Sequence, residues 1–312
     1  MNSLNTSIVI FAHTRPFHLE KTLESLLKND LSQIENIRIY IDGPRNEIQR
    51  KKVDETYSVA NKFRVNFRWE VKKSNINLGL SNSIINGISD EFKSNEAVII
   101  IEDDLVLSPN FVDFMTSGLH KFKSKNQVAS IHGYLPSVES SIPPDEPFFI
   151  RGADCWGWAT WKNRWNVAEW NATKLLADLH AKNLVYDFNL EDKFPFTQML
   201  EECSLRKIDS WAIRWHAYNF LQNKLTLHPQ YSLVSNEGFD NSGTHGTKTN
   251  SYKTNIYMGK IEIPDTIIIE ESKQGLRYIS SFYSNLANLK EPLIYRIRLK
   301  FSNYLKKWIK SW

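Results

Sequence analysis

Cysteine is nearly missing from this sequence: Cys155 and Cys203 are the two present in 312 residues, and they form no C-x-x-C pair. Neither a disulfide-built secreted scaffold nor a thiolate zinc site is expected from that count. Long apolar runs are missing too. The longest span five residues, Ile8–Ala12 and Ala97–Ile101, against the roughly 18 that a membrane-spanning helix needs. The N-terminus shows no basic region followed by an apolar stretch, so no signal peptide is expected. There is no G-x-x-x-x-G-K-[ST] loop and no G-x-G-x-x-G after the first apolar run, which leaves ATPase and dinucleotide-binding readings without their phosphate cradle. What remains is an ordinary globular composition, 41% hydrophobic and 24% charged, in a chain long enough for one large domain or two average ones. A cytoplasmic location is expected.

The net charge of +4 is unevenly placed: residues 290–312 carry +6, and residues 1–289 carry −2. A mildly acidic body lacks the phosphate-neutralising patches of a nucleic-acid binder, so no nucleic-acid partner is expected. At 100° per residue, Leu293, Ile294, Ile297, Phe301, Tyr304, Leu305, Trp308 and Trp312 fall on one arc of a helix. Arg296, Arg298, Lys300, Lys306, Lys307 and Lys310 take most of the rest. Such a helix either packs its apolar side on the domain or lies on an anionic bilayer. With seven basic residues against Glu291 alone, peripheral attachment to the inner face of the plasma membrane is the stronger expectation.

Strand and helix signals alternate through the first 130 residues. Ser7–Ala12 reads as a buried strand, and Thr14-Arg15-Pro16 can cap and start a helix striped by Leu19, Leu23, Leu26 and Leu27. Ile37–Ile41 is a second strand ending in the turn Asp42-Gly43-Pro44. A helix to about Lys62, a strand around Val65–Val71, a helix at Leu80–Phe92 and a strand at Ala97–Ile101 follow. The pattern predicts an α/β fold, a mostly parallel sheet flanked by helices, with its crevice beyond the carboxyl ends of the strands. The Ser/Pro/acid-rich stretch 136–147 is the softest boundary. It separates a Rossmann-like nucleotide half, 1–135, from an α-rich half, 136–289, and the basic tail, 290–312. Seven of the ten tryptophans lie between Trp156 and Trp215.

The acidic triplet Glu102-Asp103-Asp104 is the sharpest chemical signal. Three carboxylates pressed together at the end of a buried strand are costly, and a divalent cation relieves that cost. Mn²⁺ and Mg²⁺ both take oxygen ligands, with Mg²⁺ often completing its shell from substrate phosphates. The plainer reading is a solvated acidic turn capping the helix expected over Pro109–Leu119. Thr14 and Arg15 at the first strand end and Asp42 at the second are suited to gripping a nucleotide.

Three segments together resemble a known family: Val9-Ile-Phe-Ala-His-Thr-Arg-Pro, Asn77-Leu-Gly-Leu-Ser-Asn and Ile100-Ile-Glu-Asp-Asp-Leu-Val-Leu-Ser-Pro-Asn-Phe. They are similar to GT-A nucleotide-sugar glycosyltransferases of the N-acetylglucosaminyltransferase I type and its bacterial family 2-like relatives. The resemblance covers roughly residues 7–247. It implies that Asp104 holds the metal against the diphosphate while Glu102 and Asp103 contact ribose or donor sugar. Thr14, Arg15, Asp42, Asn77 and Gly79 would line the nucleotide. The segment Gly152-Ala-Asp-Cys-Trp-Gly-Trp resembles the family's Gly-Trp-rich loop, placing Asp154, Trp156 and Trp158 at the acceptor. Aromatic faces suit sugars, although tryptophans at this spacing also form cores.

Ile208-Asp-Ser-Trp resembles the family's Asp-Asp-Trp motif with its second acid replaced by Ser210, which leaves Asp209 as the implied catalytic base of an inverting reaction. At the positive end of a helix beginning near Ser210, Asp209 would also stay ionised. An ordinary N-cap is its plainer reading, with Glu201 and Glu202 as substitutes for the base. The loop 236–245 resembles the family's closing loop, with His245 either facing the diphosphate or metal or standing as a solvated loop histidine.

The sequence therefore predicts a metal-dependent inverting hexosyl- or N-acetylhexosaminyltransferase. It would use a nucleotide sugar, UDP-linked as the leading expectation, and a glycan or lipid-linked acceptor in surface-polysaccharide synthesis. Two alternatives stand beside it, a sugar-phosphate nucleotidyltransferase and a non-catalytic, membrane-anchored glycan-binding protein.

Overall fold

The first apolar run becomes β1 (Thr6–Ala12), buried along its whole length. Its side chains alternate with the period of two that a strand imposes. Ile8, Ile10 and Ala12 enter one core cluster, and Val9 and Phe11 enter another. The computed structural model describes residues 4–64, 68–139, 141–240 and 249–288, and this two-sided pattern recurs through it. The last strand of the parallel set, Ala97–Glu102, sends Ala97, Ile99 and Ile101 to the first cluster and Val98 and Ile100 to the second. Both faces are covered by helices, so the runs need no polar alternation. Full burial of each such isoleucine contributes about 1.5–3 kcal/mol.

In chain order the strands are β1, β2 (Asn36–Ile41), β3 (Trp69–Lys73), β4 (Ala97–Glu102), β5 (Leu105–Leu107), β6 (Val128–His132), β7 (Phe148–Arg151), β8 (Trp158–Trp161), β9 (Leu225–His228) and β10 (Val234–Asn236). Eight form one sheet in the order β3-β2-β1-β4-β8-β6-β9-β7. β1 pairs parallel with β2 and β4, and β2 with β3. β8 runs antiparallel between β4 and β6, β6 and β9 are parallel, and β7 closes the edge antiparallel to β9. The sheet thus continues across the expected boundary at 135/136, and both halves contribute strands to it.

The helices are α1 (Pro16–Leu26), α2 (Glu47–Lys62), α3 (Leu80–Glu91), α4 (Phe111–Phe122), α5 (Lys162–Trp165), α6 (Ala172–Ala181), α7 (Val185–Phe188), α8 (Phe196–Ser204), α9 (Trp211–Leu221) and α10 (Lys273–Asn288). α1, α2 and α4 supply the first core face, and α3, α5 and α9 the second. α6 to α9 share a third cluster, centred on Leu175, Phe188, Leu200 and Phe220. α10 lays Tyr278, Ile279 and Phe282 against Phe148 and Ile150 of β7. α1 starts with Pro16 in its first turn, where the missing N–H costs nothing. Thr14 is not its cap, because Arg15 holds that position and no side chain caps the helix. Of the strand expected around Val65–Val71, residues 65–67 lie outside the described residues, and β3 starts at Trp69.

Among the described residues no helix is long and apolar enough to cross a membrane. The basic segment 290–312 lies outside the described residues.

Candidate active site

The acidic triplet sits where β4 leaves the sheet. Asp103 is 2% exposed, and a three-residue strand, β5, separates the triplet from α4, whose N-cap is Asn110. It is therefore neither a solvated turn nor the cap of that helix. β5 is held by β10 from the second half of the chain, and the Glu237 amide donates to the Asp104 carbonyl at 2.9 Å.

Arg15, at the neighbouring end of β1, answers the triplet. Its guanidinium donates to Asp104 at 2.9 Å and also pairs with Asp103. Asp103 accepts the His13 amide at 3.4 Å, and the Asp103 carbonyl takes the Thr22 hydroxyl at 2.8 Å. One cation among three acids leaves negative charge over. Burial, reinforced by Asp104 and opposed by Arg15, pushes the half-buried Glu102 carboxyl up to about 8. Burial pushes Asp103 up as well, with Arg15 pulling the other way.

This arrangement fits a divalent cation. Its donors are all carboxylate oxygens, the chemistry Mg²⁺ and Mn²⁺ prefer, and its charge is under-compensated. Among the described residues no group of three or more His, Cys, Asp and Glu is arranged to hold a metal ion by itself. An ion here would take one or two carboxylates and leave room for phosphate oxygens.

The other expected donor-side residues are brought to the same rim. Asp42, 8% exposed at the end of β2, accepts from the amides of Gly43 (2.8 Å), Leu78 (2.8 Å) and Gly79 (3.0 Å) and from the Asn77 side chain (2.9 Å). Those four bonds fill a carboxylate's usual acceptor capacity, so Asp42 braces the 77–79 loop. His13 and Asn77 both meet the Gly43 carbonyl, at 3.0 and 2.8 Å. Thr14 is half-buried at the corner between His13 and Arg15. His245 lies outside the described residues.

Asp209 stands immediately before α9. The cap of that helix is Ser210, whose hydroxyl accepts the Ile213 amide at 3.3 Å, so Asp209 is free of the capping role. Its side chain is 57% exposed, with Arg214 at 3.6 Å. It also lies beside Gly79, where a Cβ would be 3.5 Å from the carboxylate. The 77–79 loop thus connects Asp42 to Asp209. Of the substitutes on α8, Glu201 is exposed and Glu202 accepts from Gln198 at 3.3 Å.

The Gly-Trp-rich segment splits. Trp158 is fully buried and stacks on Trp211 at 5.4 Å, with Trp165 and Trp215 at 6.0 and 5.8 Å. This corrects the expectation that it contacts acceptor, since Trp158 is core. Trp161 and Trp165 are also buried. Trp156 turns the other way, into a cavity of about 520 Å³ that Asp154, Cys155 and Phe239 also line. Tyr134, Phe239 and Tyr252 pack around Trp156 with ring centroids at 4.8, 5.7 and 5.4 Å.

Cys155 joins this cavity to the triplet. Burial pushes its thiol well up, and the carboxylates of Asp154, Glu102 and Asp104 add to the effect. Ser210 and Ala212 line the cavity beside Asp209. The triplet and Asp209 thus border the cavity through Cys155 and Ser210 without lining it themselves.

Three features escaped sequence reasoning. Gly238 lies so close to the triplet that a Cβ would collide with the Asp104 carboxylate and come within 3.0 Å of Arg15. His132 and His228 end β6 and β9, with their rings 5.0 Å apart and His132 Nε2 3.3 Å from Asp154. A signal for the pair existed, because each histidine closes an apolar strand, where open α/β sheets place their sites. The aromatic residues of α10 that line the cavity, Phe282 and Tyr283, carried no such signal.

No protein family model matches the chain, and no curated protein matches it. Partial structural likenesses exist. TarS from S. aureus (residues 1–349) is 11% identical over 74% of this chain and 60% of its own, with a TM-score of 0.42. GalNAc-T7, solved with UDP, GalNAc and Mn²⁺, is 13% identical over 73% of this chain and 43% of its own, at 0.44. Glucosyl-3-phosphoglycerate synthase from Mycobacterium tuberculosis, solved with Mn²⁺, UDP and glucosyl-3-phosphoglycerate, is 12% identical over 51% of this chain and 57% of its own, at 0.34. This chain thus spans 60% or less of the length of each. Likenesses this slight do not bear on activity.

Proposed function

We propose that the chain is a GT-A-type glycosyltransferase, metal-dependent and inverting, that moves a hexosyl or N-acetylhexosaminyl group from a nucleotide sugar to a hydroxyl of a glycan or glycolipid. The observation that carries this reading is the neighbourhood of three features. An under-neutralised acid triplet at a strand end borders an aromatic cavity through Cys155, and the exposed carboxylate of Asp209, free of the capping role and 3.6 Å from Arg214, stands next to the cavity-lining Ser210. A nucleotidyltransferase has no use for the aromatic cavity, and a glycan-binding scaffold has none for the buried triplet.

Asp104, with Glu102 beside it, would hold Mn²⁺ or Mg²⁺. The ion, when bound, stabilises negative charge growing on the leaving diphosphate. Arg15 keeps the triplet in place from the β1 corner, and the 77–79 loop, braced by Asp42, carries the nucleotide edge. The acceptor hydroxyl comes from the Trp156 side. Its oxygen forms the new bond to the anomeric carbon as the bond from that carbon to the diphosphate oxygen breaks. The electron pair leaves with the nucleoside diphosphate, and the hydroxyl proton passes to Asp209. A UDP-linked donor is the first to test. Attachment of segment 290–312 to an anionic inner membrane surface, where lipid-linked acceptors of surface-polysaccharide assembly reside, completes the proposal.

The test is a panel of nucleotide sugars with Mn²⁺, read by thermal shift and by nucleoside diphosphate release. A shift selective for one donor, abolished by EDTA and in Asp104→Ala, is expected, with slow diphosphate release as water replaces acceptor. Pyrophosphate release from a nucleoside triphosphate would select the nucleotidyltransferase reading. No shift with any donor would leave the glycan-binding reading.

A further inference from the structure

We propose that the cavity beside Trp156 receives an aliphatic chain of the acceptor, of the acyl or isoprenoid kind, so that the natural acceptor is lipid-linked. This rests on the transferase reading above and names its substrate class. The cavity has three zones. Its charged lining residues Asp187, Glu191, Glu271 and Arg277 are exposed and form the rim. Toward the triplet lie Trp156, Cys155 and Asp154, and near them is His228, 4% exposed, whose Nδ1 has no hydrogen-bond partner among the described residues. The far wall is aromatic, with Phe188, Phe194 and Phe196 from the α7–α8 region and Phe282 and Tyr283 from α10.

Several polar groups elsewhere in the wall are spent internally, although Arg151 Nε is buried without a hydrogen-bond partner among the described residues. Tyr134 donates to the Tyr252 carbonyl at 2.9 Å, and His216 Nδ1 meets the Ala153 backbone at 2.8–3.1 Å. Arg151 lies 3.7 Å over the Phe220 ring and 3.7 Å from Asp187. A ligand here finds acceptors for a few hydroxyl donors at the Asp154–His228 end and phenyl rings beyond it. A hydroxyl pressed on that wall without a partner costs about 1–3 kcal/mol, whereas each buried methylene is favourable. A free oligosaccharide is thus a poor occupant, and a hydroxyl-bearing head with a hydrocarbon tail is a good one. The helix α10 that forms part of the wall is followed in sequence by the basic segment 290–312, whose composition suits a lipid surface.

The experiment titrates the full chain, without donor or metal, with methyl, butyl, hexyl and octyl glucosides below their micellar concentrations. Binding is followed by tryptophan fluorescence and by calorimetry. Affinity is expected to rise about fourfold per added methylene, the effect of burying a CH₂. Phe196→Ser should flatten that dependence, while Asp154→Asn should weaken every member by a similar factor and keep the slope. An affinity independent of chain length overturns the proposal, as does tighter binding of a free trisaccharide or of phenyl glucoside than of octyl glucoside. Because no donor is present, a chain-length dependence without any donor-induced thermal shift would preserve the cavity assignment and sink the transferase reading. The converse result would do the opposite.

Discussion

Trp156 and Trp158 stand two residues apart in one segment and have opposite fates. Trp158 disappears into a stack with Trp165, Trp211 and Trp215 under the sheet, and Trp156 faces the cavity. Gly157, at φ 65°, makes the turn between them, and a Cβ there would press on Val234 at 2.8 Å. One residue type in one motif thus serves the core on one side and the candidate acceptor site on the other. The wider molecule repeats the contrast. The donor-side rim is built of charges held by short polar bonds, whereas the cavity is built of rings with a few open acceptors at one end.

The largest effect is expected where the two regions meet. Asp209→Asn keeps the shape of the α9 terminus and its Ser210 cap but removes the proton acceptor. A loss of about 10²- to 10⁴-fold in kcat is expected, the range for a general base, with donor binding unchanged by thermal shift. A loss below tenfold would return the base to Glu201 or Glu202. Next comes the tryptophan pair itself. Trp158→Ala is expected to cost about 3–5 kcal/mol in urea unfolding, as for buried aromatic truncations generally. Trp156→Ala should cost less and appear instead as a raised KM for acceptor. Equal destabilisation by both would erase the distinction between a core and a cavity tryptophan. Gly238→Ala tests the donor side alone. A methyl group there meets the Asp104 carboxylate and Arg15, so metal-dependent donor binding should weaken about tenfold, the equivalent of 1.4 kcal/mol. Acceptor-side binding of octyl glucoside should be untouched.

Much of the donor side was legible because it is local in sequence. The apolar runs of β1 and β4 stop abruptly at Thr14-Arg15 and Glu102-Asp103-Asp104, the alternating strand β2 stops at Asp42, and parallel topology brings such strand ends together. The fold class followed from the same alternation. What could not be read was set by tertiary partners. Asp42 looks like a ligand-binding acid, yet four donors from its own and the 77–79 loop occupy it. Asp209 looks like a cap, yet Ser210 does the capping. Whether a given tryptophan faces core or cavity depends on one glycine's backbone, which no side-chain periodicity reports. The contribution of α10 to the cavity depends on packing across more than a hundred residues of chain.

The last expected effect is a dependence of stability on pH that belongs to the cavity side. Burial, with help from His132 and against the pull of Asp154, brings the His228 imidazole down to about 3. In the unfolded chain it returns to about 6.5. Between those values the unfolded state holds the extra proton, so stability falls as pH falls. The contribution is fully present above about pH 6.5 and is lost progressively toward pH 3. Asp154 is held below the usual carboxylate range, with burial opposing and His132 and His228 prevailing. Its loss has the same sign but begins only as the pH nears the ordinary carboxylate value of 3.8. His216 and His13 are also lowered by burial, so His228 owns part of the slope rather than all of it. Urea unfolding at pH 7 and pH 5 should show the wild-type chain losing stability between the two, and His228→Gln losing measurably less. Identical losses would mean that His228 is solvated in the folded protein, and that the cavity end it shares with Asp154 is wetter than its burial implies.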